Sequence, residues 1–304
     1  MARFPRPIDL LNITIGIAGL TVERNIPFGR HARQKLDVYR PANAQTALSK
    51  SVRKGDMPPV GLQLGLPVIV FFYGGSWQSG ERRDYRFIAA LLARRGFVVV
   101  VPDYRIYPER KFPGFLEDSA AATAWVLKNI SEHDGDAGAV FLMGHSAGAY
   151  NAVMLGLDAS YLKAVDADPA RIAGIIGLAG PYDFLPLRDP VLEEIFVASG
   201  DLKVTQPINH VRECAPPFLL AHGGKDRTVW PRNTAILAAR LREVGGAVES
   251  RIYPKLGHIS IILASLPYLS WRAPLLRDVL HFISACRNGE FADARTEISQ
   301  PMVR

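Results

Sequence analysis

The chain has 304 residues, of which 48% are hydrophobic and 21% charged; this excludes a disordered chain and fits one domain, 1–304, able to bury a substantial core. Its net charge of +7 comes from basic residues scattered beside acids, as in Glu81-Arg82-Arg83-Asp84, so no nucleic-acid surface is indicated. Two cysteines, Cys214 and Cys286, supply neither a disulfide framework nor zinc spacing and read as buried or incidental thiols in a reducing compartment, and no apolar run is long enough for a membrane span.

Residues 1–20 read as an amphipathic N-terminal arm. Ile8 to Leu20, following Arg3 and Arg6, resembles a signal-peptide core, but Asp9, Asn12 and Thr14 interrupt it, so the arm is expected to be retained and the protein to be cytoplasmic. LTVERNIPFG and QKLDVYRP, parted by Gly29-Arg30-His31, predict an antiparallel opening strand pair. Residues 42–66 mix Ser, Lys, Gly and Pro without periodicity and read as a long surface loop.

From Pro67 the pattern is regular. Pro67 to Phe72 is a solid apolar strand, Asp84 to Arg95 a helix closed by Gly96, Phe97 to Val101 a strand, and Phe115 to Ile130 a helix with an Asp- and Gly-rich loop behind it. The strand Ala139 to Met143, the helix Ala147 to Leu157 and the strand Ile172 to Ala179 follow. Residues 181–217, with prolines at 181, 186, 190, 207 and 216 and a short helical piece, Pro190 to Ala198, break the rhythm as a small cap or lid insertion. Phe218 to His222, the helix Pro231 to Val244, the strand Ala247 to Tyr253 and the helix Trp271 to Cys286 resume it, and 288–304 is a polar peripheral tail. Apolar strands without in-out alternation, each followed by a helix, predict a mostly parallel, doubly wound α/β sheet.

Chemistry gathers where these strands end. GHSAG, residues 144–148, sits between a strand and a helix, which suits either a nucleophile elbow or a Gly-rich turn capped by a serine. A serine nucleophile needs a base within hydrogen-bonding reach and a carboxylate to orient that base. HGGKDRTV puts Asp226 in a turn just past one strand, and PKLGH puts His258 in a loop just past the next. Either could be structural alone, Asp226 as a turn or cap residue; the three in order, Ser146, Asp226 and His258, form a candidate triad. YGGSW, straight after the strand ending at Phe72, is placed to offer backbone donors to a developing oxyanion, with Gly74, Gly75 and the Ala147 N–H as the expected hole. Tyr73, Ser76 and Trp77 are candidate pocket residues, with Trp77 either walling the pocket or packing in the core. His145 is expected to shape the elbow and His222 to be structural. No histidine pair has HxxxH or HExxH spacing, so neither a metal nor another cofactor is expected.

YGGSW resembles the HGGxW oxyanion motif of kynurenine-formamidase-like and hormone-sensitive-lipase-like bacterial esterases, GHSAG resembles their nucleophile elbow, and HGGKDRTV resembles the HGxxDxxV acid loop shared with prolyl-oligopeptidase-type hydrolases. LDVYRP, VVPDYRIYPERKFP and GHISI are also similar to segments of this group, over roughly residues 35–285. The resemblance implies an α/β-hydrolase fold and a serine carboxylesterase, with Ser146 as nucleophile, Asp226 as orienting acid, His258 as base, and Gly74 and Ala147 as donors. Tyr73 stands where the group has a histidine, and the acid loop lacks the DPL signature of the hormone-sensitive-lipase members, which leaves the subfamily and substrate open. The expected partner is a small-molecule ester, without nucleic acid or membrane span; a homodimer is the open alternative to a monomer. An arylformamidase acting on N-formylkynurenine, or a ligand-binding protein of the same fold without turnover, are the rival readings.

Overall fold

The computed structural model describes residues 12, 15–43 and 65–291. Most of the expected arm at 1–20, loop at 42–66 and tail at 288–304 lies outside the described residues. Among those described, eight strands form one sheet: β1 (Leu20–Pro27), β2 (Lys35–Pro41), β3 (Leu66–Phe72), β4 (Val98–Pro102), β5 (Gly135–His145), β6 (Ile172–Leu178), β7 (Phe218–Gly223) and β8 (Val248–Tyr253). Their order is β1-β2-β4-β3-β5-β6-β7-β8. β2 pairs antiparallel with β1 and β4, and the other ladders are parallel. The helices are α1 (Arg86–Ala93), α2 (Gly114–Asn129), α3 (Ala147–Leu157), α4 (Ser160–Lys163), α5 (Pro190–Phe196), α6 (Arg232–Glu243), α7 (His258–Leu263) and α8 (Leu275–Arg287). None is long and apolar enough to cross a membrane.

The solid apolar strands are explained by burial on both faces. Ile69, Phe71, Val99 and Val101 share one core with Leu92 of α1 and Phe282 of α8. Their neighbours Val68, Val70, Val98 and Val100 face a second core with Val126 of α2, Val153 of α3 and Leu241 of α6. Each fully buried side chain of this size contributes about 1.5–3 kcal/mol. After β3 the chain goes to β4 on one side and then crosses to β5 on the other. The loops leaving the carboxyl ends of β3 and β5 therefore part, and a crevice opens where they diverge.

Three boundaries differ from the sequence reading. β5 starts at Gly135, inside the expected Asp-Gly loop, because Leu66 donates to the Asp134 carbonyl at 2.8 Å and pairs with Gly135 before the ladder shifts. The first helix is divided into a 3-10 turn, Arg82–Tyr85, and α1. The last starts at Leu275 rather than Trp271, since Pro274 precedes it and Pro267–Arg272 forms a separate 3-10 turn. Of the two cysteines expected to be buried or incidental, Cys214 is exposed and Cys286 half-buried.

Residues 181–217 carry α5 and the 3-10 turns Val197–Ser199, Leu202–Thr205 and Pro207–His210. They are pinned to the body by Tyr150 Oη donating to the Thr205 carbonyl at 2.6 Å and by the Tyr182 and Asp183 amides donating to Asn233 Oδ1, both at 2.8 Å. Their rings Phe184 and Phe196 close an aromatic cluster around Trp77, with centroids 6.4 and 5.0 Å away, joined by Tyr150 at 5.0 Å.

Candidate active site

β3 and β5 end side by side, Phe72 opposite Gly144, so the YGGSW loop and the GHSAG turn emerge together. At the turn Ser146 takes φ 56° and ψ −123°, a conformation that L-residues rarely adopt. Its N–H is held by the Leu178 carbonyl of β6 at 2.8 Å. The flanking glycines are required by contact: a Cβ on Gly144 would lie 2.2 Å from the Gly148 carbonyl oxygen, and one on Gly148 would lie 2.1 Å from that of Phe72. Only without those carbons can α3 start against β3 and β5 with Ser146 at its head. Ala147 is the first residue of α3, where a helical amide has no intrahelical acceptor.

Ser146, Asp226 and His258, separated by up to 112 residues, meet at the carboxyl ends of β5, β7 and β8. His258 Nε2 lies 2.8 Å from Ser146 Oγ, and His258 Nδ1 lies 2.7 Å from Asp226 Oδ2. A carboxylate only accepts, so Nδ1 carries the proton and Nε2 is left to accept from the serine hydroxyl. The Asp226 side chain is wholly buried. Burial alone would raise its pKa, but His222, His258 and the Val229 amide donate to it and hold it well below the ordinary carboxylate range. Its Oδ1 accepts from the Thr228 and Val229 amides at 2.9 and 3.0 Å.

Two histidines without an assigned chemical role touch this chain of contacts. His222 Nε2 lies 3.2 Å from Asp226 Oδ2 and 2.9 Å from the Val229 carbonyl, while its Nδ1 faces Thr234 Oγ1 at 2.9 Å. It therefore shares one carboxylate oxygen with His258. The available signal was its place at the end of β7, four residues before the acid. His145 Nε2 donates to the His258 carbonyl at 2.9 Å, and its Nδ1 faces Tyr85 Oη at 3.4 Å. The Gly74 amide is turned toward that same Tyr85 hydroxyl, whose pKa burial pushes up to about 12. A run of neutral groups thus links the YGGSW loop to the backbone of the candidate base.

Burial, with the neighbouring His258, lowers the His145 pKa from 6.5 to about 3, so His145 is neutral in the folded protein. Between those values the unfolded chain takes up a proton that the folded chain refuses, so this contribution to stability is complete above pH 6.5 and is lost as pH falls toward 3. Thermal melts from about pH 7 down to about pH 4 should show a falling midpoint, worth on the order of a few kcal/mol. His145→Gln, which keeps a donor toward the His258 carbonyl, should flatten the decline. Equal slopes in both proteins would contradict this origin.

A cavity of about 390 Å³ opens above Ser146, and Gly74, Gly75, Ser76, Tyr85, His258 and Ile259 contribute to its lining. Of the candidate pocket residues, Ser76 contributes to this lining. Tyr73 and Trp77 do not line this cavity: Tyr73 is fully buried and Trp77 is 3% exposed. Positive φ at Ser76 and Trp77 (53° and 58°) turns the loop back into the body. There Trp77 Nε1 donates to Asn151 Oδ1 at 3.1 Å. No lining residue comes from 181–217, so that segment backs the aromatic cluster rather than the cavity. Another hollow, of about 420 Å³, runs along residues 108–114 and Glu117, but its lining includes no serine, cysteine or histidine.

The model of the BD-FAE family matches residues 57–241, and that of the prolyl oligopeptidase family matches residues 196–289. The isoprenylcysteine alpha-carbonyl methylesterase ICME of Arabidopsis thaliana is 26% identical over 285 residues, covering 87% of this chain and 62% of its own. Esterase LipQ of Mycobacterium tuberculosis is 28% identical over 281 residues, covering 86% of this chain and 66% of its own. The chain therefore spans less than two thirds of either relative's length. Among solved structures, inhibited esterase B from Lactobacillus rhamnosis superposes with a TM-score of 0.72 at 17% identity, covering 94% of each chain. At that identity the likeness shows the fold, and the fold is that of the α/β-hydrolases.

Proposed function

The chain belongs to the BD-FAE family, and from that premise we propose that it is a serine carboxylesterase acting on small to medium acyl esters. The observation that carries the reading is the unbroken contact chain Ser146 Oγ, His258 Nε2, His258 Nδ1, Asp226 Oδ2, at 2.8 and 2.7 Å. In this reading Ser146 Oγ attacks the ester carbonyl while His258 Nε2 takes its proton. The carbonyl oxygen becomes an oxyanion facing backbone N–H groups of Gly74, Gly75 and Ala147. His258 then hands its proton to the departing alcohol, and water, deprotonated by the same imidazole, releases the acid from the acyl-enzyme. Asp226 keeps its charge throughout and holds the imidazolium.

The exposed thiol of Cys214 suits a reducing compartment, which supports a cytoplasmic location. The decisive assay measures p-nitrophenyl acetate, p-nitrophenyl butyrate and N-formylkynurenine side by side, with a fluorophosphonate probe mapped to its attachment site. Rapid ester turnover with label on Ser146 is expected. Faster cleavage of the formamide would identify an arylformamidase instead, and the absence of both turnover and label would leave a binding protein of this fold.

A further inference from the structure

Resting on that reading of Ser146 and of residues 73–80 as its oxyanion loop, we propose that Arg33 and Tyr73 form a single brace that positions the loop for catalysis. The loop holds unfavourable backbone conformations at two consecutive residues, Ser76 and Trp77, with φ of 53° and 58°, after Gly75 at 140°, a value that glycine takes readily. Such conformations persist only where their surroundings over-determine them. Locally, the Gln78 and Ser79 amides both donate to the Gly75 carbonyl at 3.0 Å, which shapes the turn. These bonds set the form of the loop but not its position relative to Ser146.

Beside the bond of Trp77 to Asn151, its position is set from beneath, by Arg33 of the turn joining β1 to β2 and by Tyr104 of the segment after β4. Arg33 Nη2 donates to Tyr73 Oη and to the Gly80 carbonyl, each at 2.8 Å. Arg33 Nε donates to the Tyr104 carbonyl at 3.0 Å, and Tyr104 Oη donates to the Tyr73 carbonyl at 2.7 Å. One guanidinium therefore grips the first and last residues of the loop and the backbone of the residue that fixes the first. Tyr73 is stacked on Tyr104, with ring centroids 4.7 Å apart, and both rings are fully buried. This gives Tyr73 a function where the resembling esterases have a histidine: its hydroxyl reaches down to the arginine, while its ring stacks behind the loop. The three acceptors are met from two nitrogens, Nε and Nη2, held apart in one plane, whereas a lysine would present all its donors from a single nitrogen. Arg33 does not itself line the cavity and reaches its wall only through the Gly80 carbonyl, so it is a positioning residue that acts through the backbone donors.

The brace predicts coupled losses in turnover with little change in substrate binding. Tyr73→Phe should lower kcat for p-nitrophenyl acetate about tenfold and Arg33→Met about a hundredfold, with KM within about twofold of wild type. Because the Tyr73 hydroxyl acts through Arg33, the double variant should be no slower than Arg33→Met alone. Affinity for a trifluoromethyl ketone, which forms a tetrahedral oxyanion on Ser146, should fall by the same factors as kcat; a merely structural role would not reproduce that match. A folded Arg33→Met with wild-type kcat, or losses that multiply in the double variant, would overturn the brace. If Arg33→Met is recovered unfolded, Tyr73→Phe, which removes one hydroxyl from a ring that stays stacked, decides alone, and an unchanged kcat overturns the proposal. Turnover surviving Ser146→Ala is the separate result that would remove the reading on which the brace rests.

Discussion

Ser146→Ala is expected to reduce kcat for p-nitrophenyl acetate by at least about 10⁴-fold, leaving only the residual rate that binding and backbone donors supply. The Oγ is the atom within 2.8 Å of His258 Nε2, and removing it takes away both the attacking group and the base's proton donor. Alanine at this position adds no atom that the turn must accommodate, so folding should be retained. Fluorophosphonate labelling should vanish together with turnover. A variant that still turns over at a tenth of the wild-type rate or faster would assign the nucleophile to another group.

Asp226→Asn is expected to cost nearly as much, about 10³ to 10⁴-fold in kcat, through the tautomer of His258. Position Oδ1 accepts two backbone amides, from Thr228 and Val229, so the carbonyl of an asparagine is held there. Its NH2 group then occupies the Oδ2 position and points at His258 Nδ1 and at His222 Nε2. Nδ1 must become an acceptor, the ring proton moves to Nε2, and the face toward Ser146 can no longer take a proton. His222 meanwhile keeps the Val229 carbonyl but loses the carboxylate as its other acceptor and meets a donor there. The expected signature is a collapse of kcat with KM little changed, and fluorophosphonate labelling slowed by a similar factor. Near-native labelling in a folded Asp226→Asn would show that the carboxylate does not set the tautomer.

Much of this site was legible because each principal residue follows a strand whose composition is unmistakable. LPVIVFF, AVFLM and FLLA are buried on both faces, and a chain that leaves such strands has to turn at their carboxyl ends, where Gly74, Ser146 and Asp226 stand. The glycines were readable for the same reason, since close approach of α3 to β3 leaves no alternative. The side of the loop that Tyr73 and Trp77 occupy was not readable, because it depends on two positive φ values at Ser76 and Trp77, and neither residue type announces them. Tyr85 and Arg33 were missed as contributors because their contacts join distant segments: Arg33 meets Tyr73 across 40 positions of sequence, and Tyr85 meets His145 across 60. A single sequence carries no local mark of such pairs. The early start of β5 was hidden by Asp134-Gly135-Asp136, turn-forming residues drawn into the sheet by pairing with Leu66.

The crowding at the elbow also divides the site into a part closed to mutation and a part open to it. Gly144 and Gly148 meet backbone atoms at distances no side chain tolerates, so a lineage exploring new substrates has no freedom there. Ser76 and Thr228 contribute to the cavity from loops and Ile259 from the start of α7, none of them at a turn that demands glycine. Adaptation to a different ester would accumulate at these rim positions while the elbow stays invariant, a division of labour between inherited chemistry and negotiable selectivity.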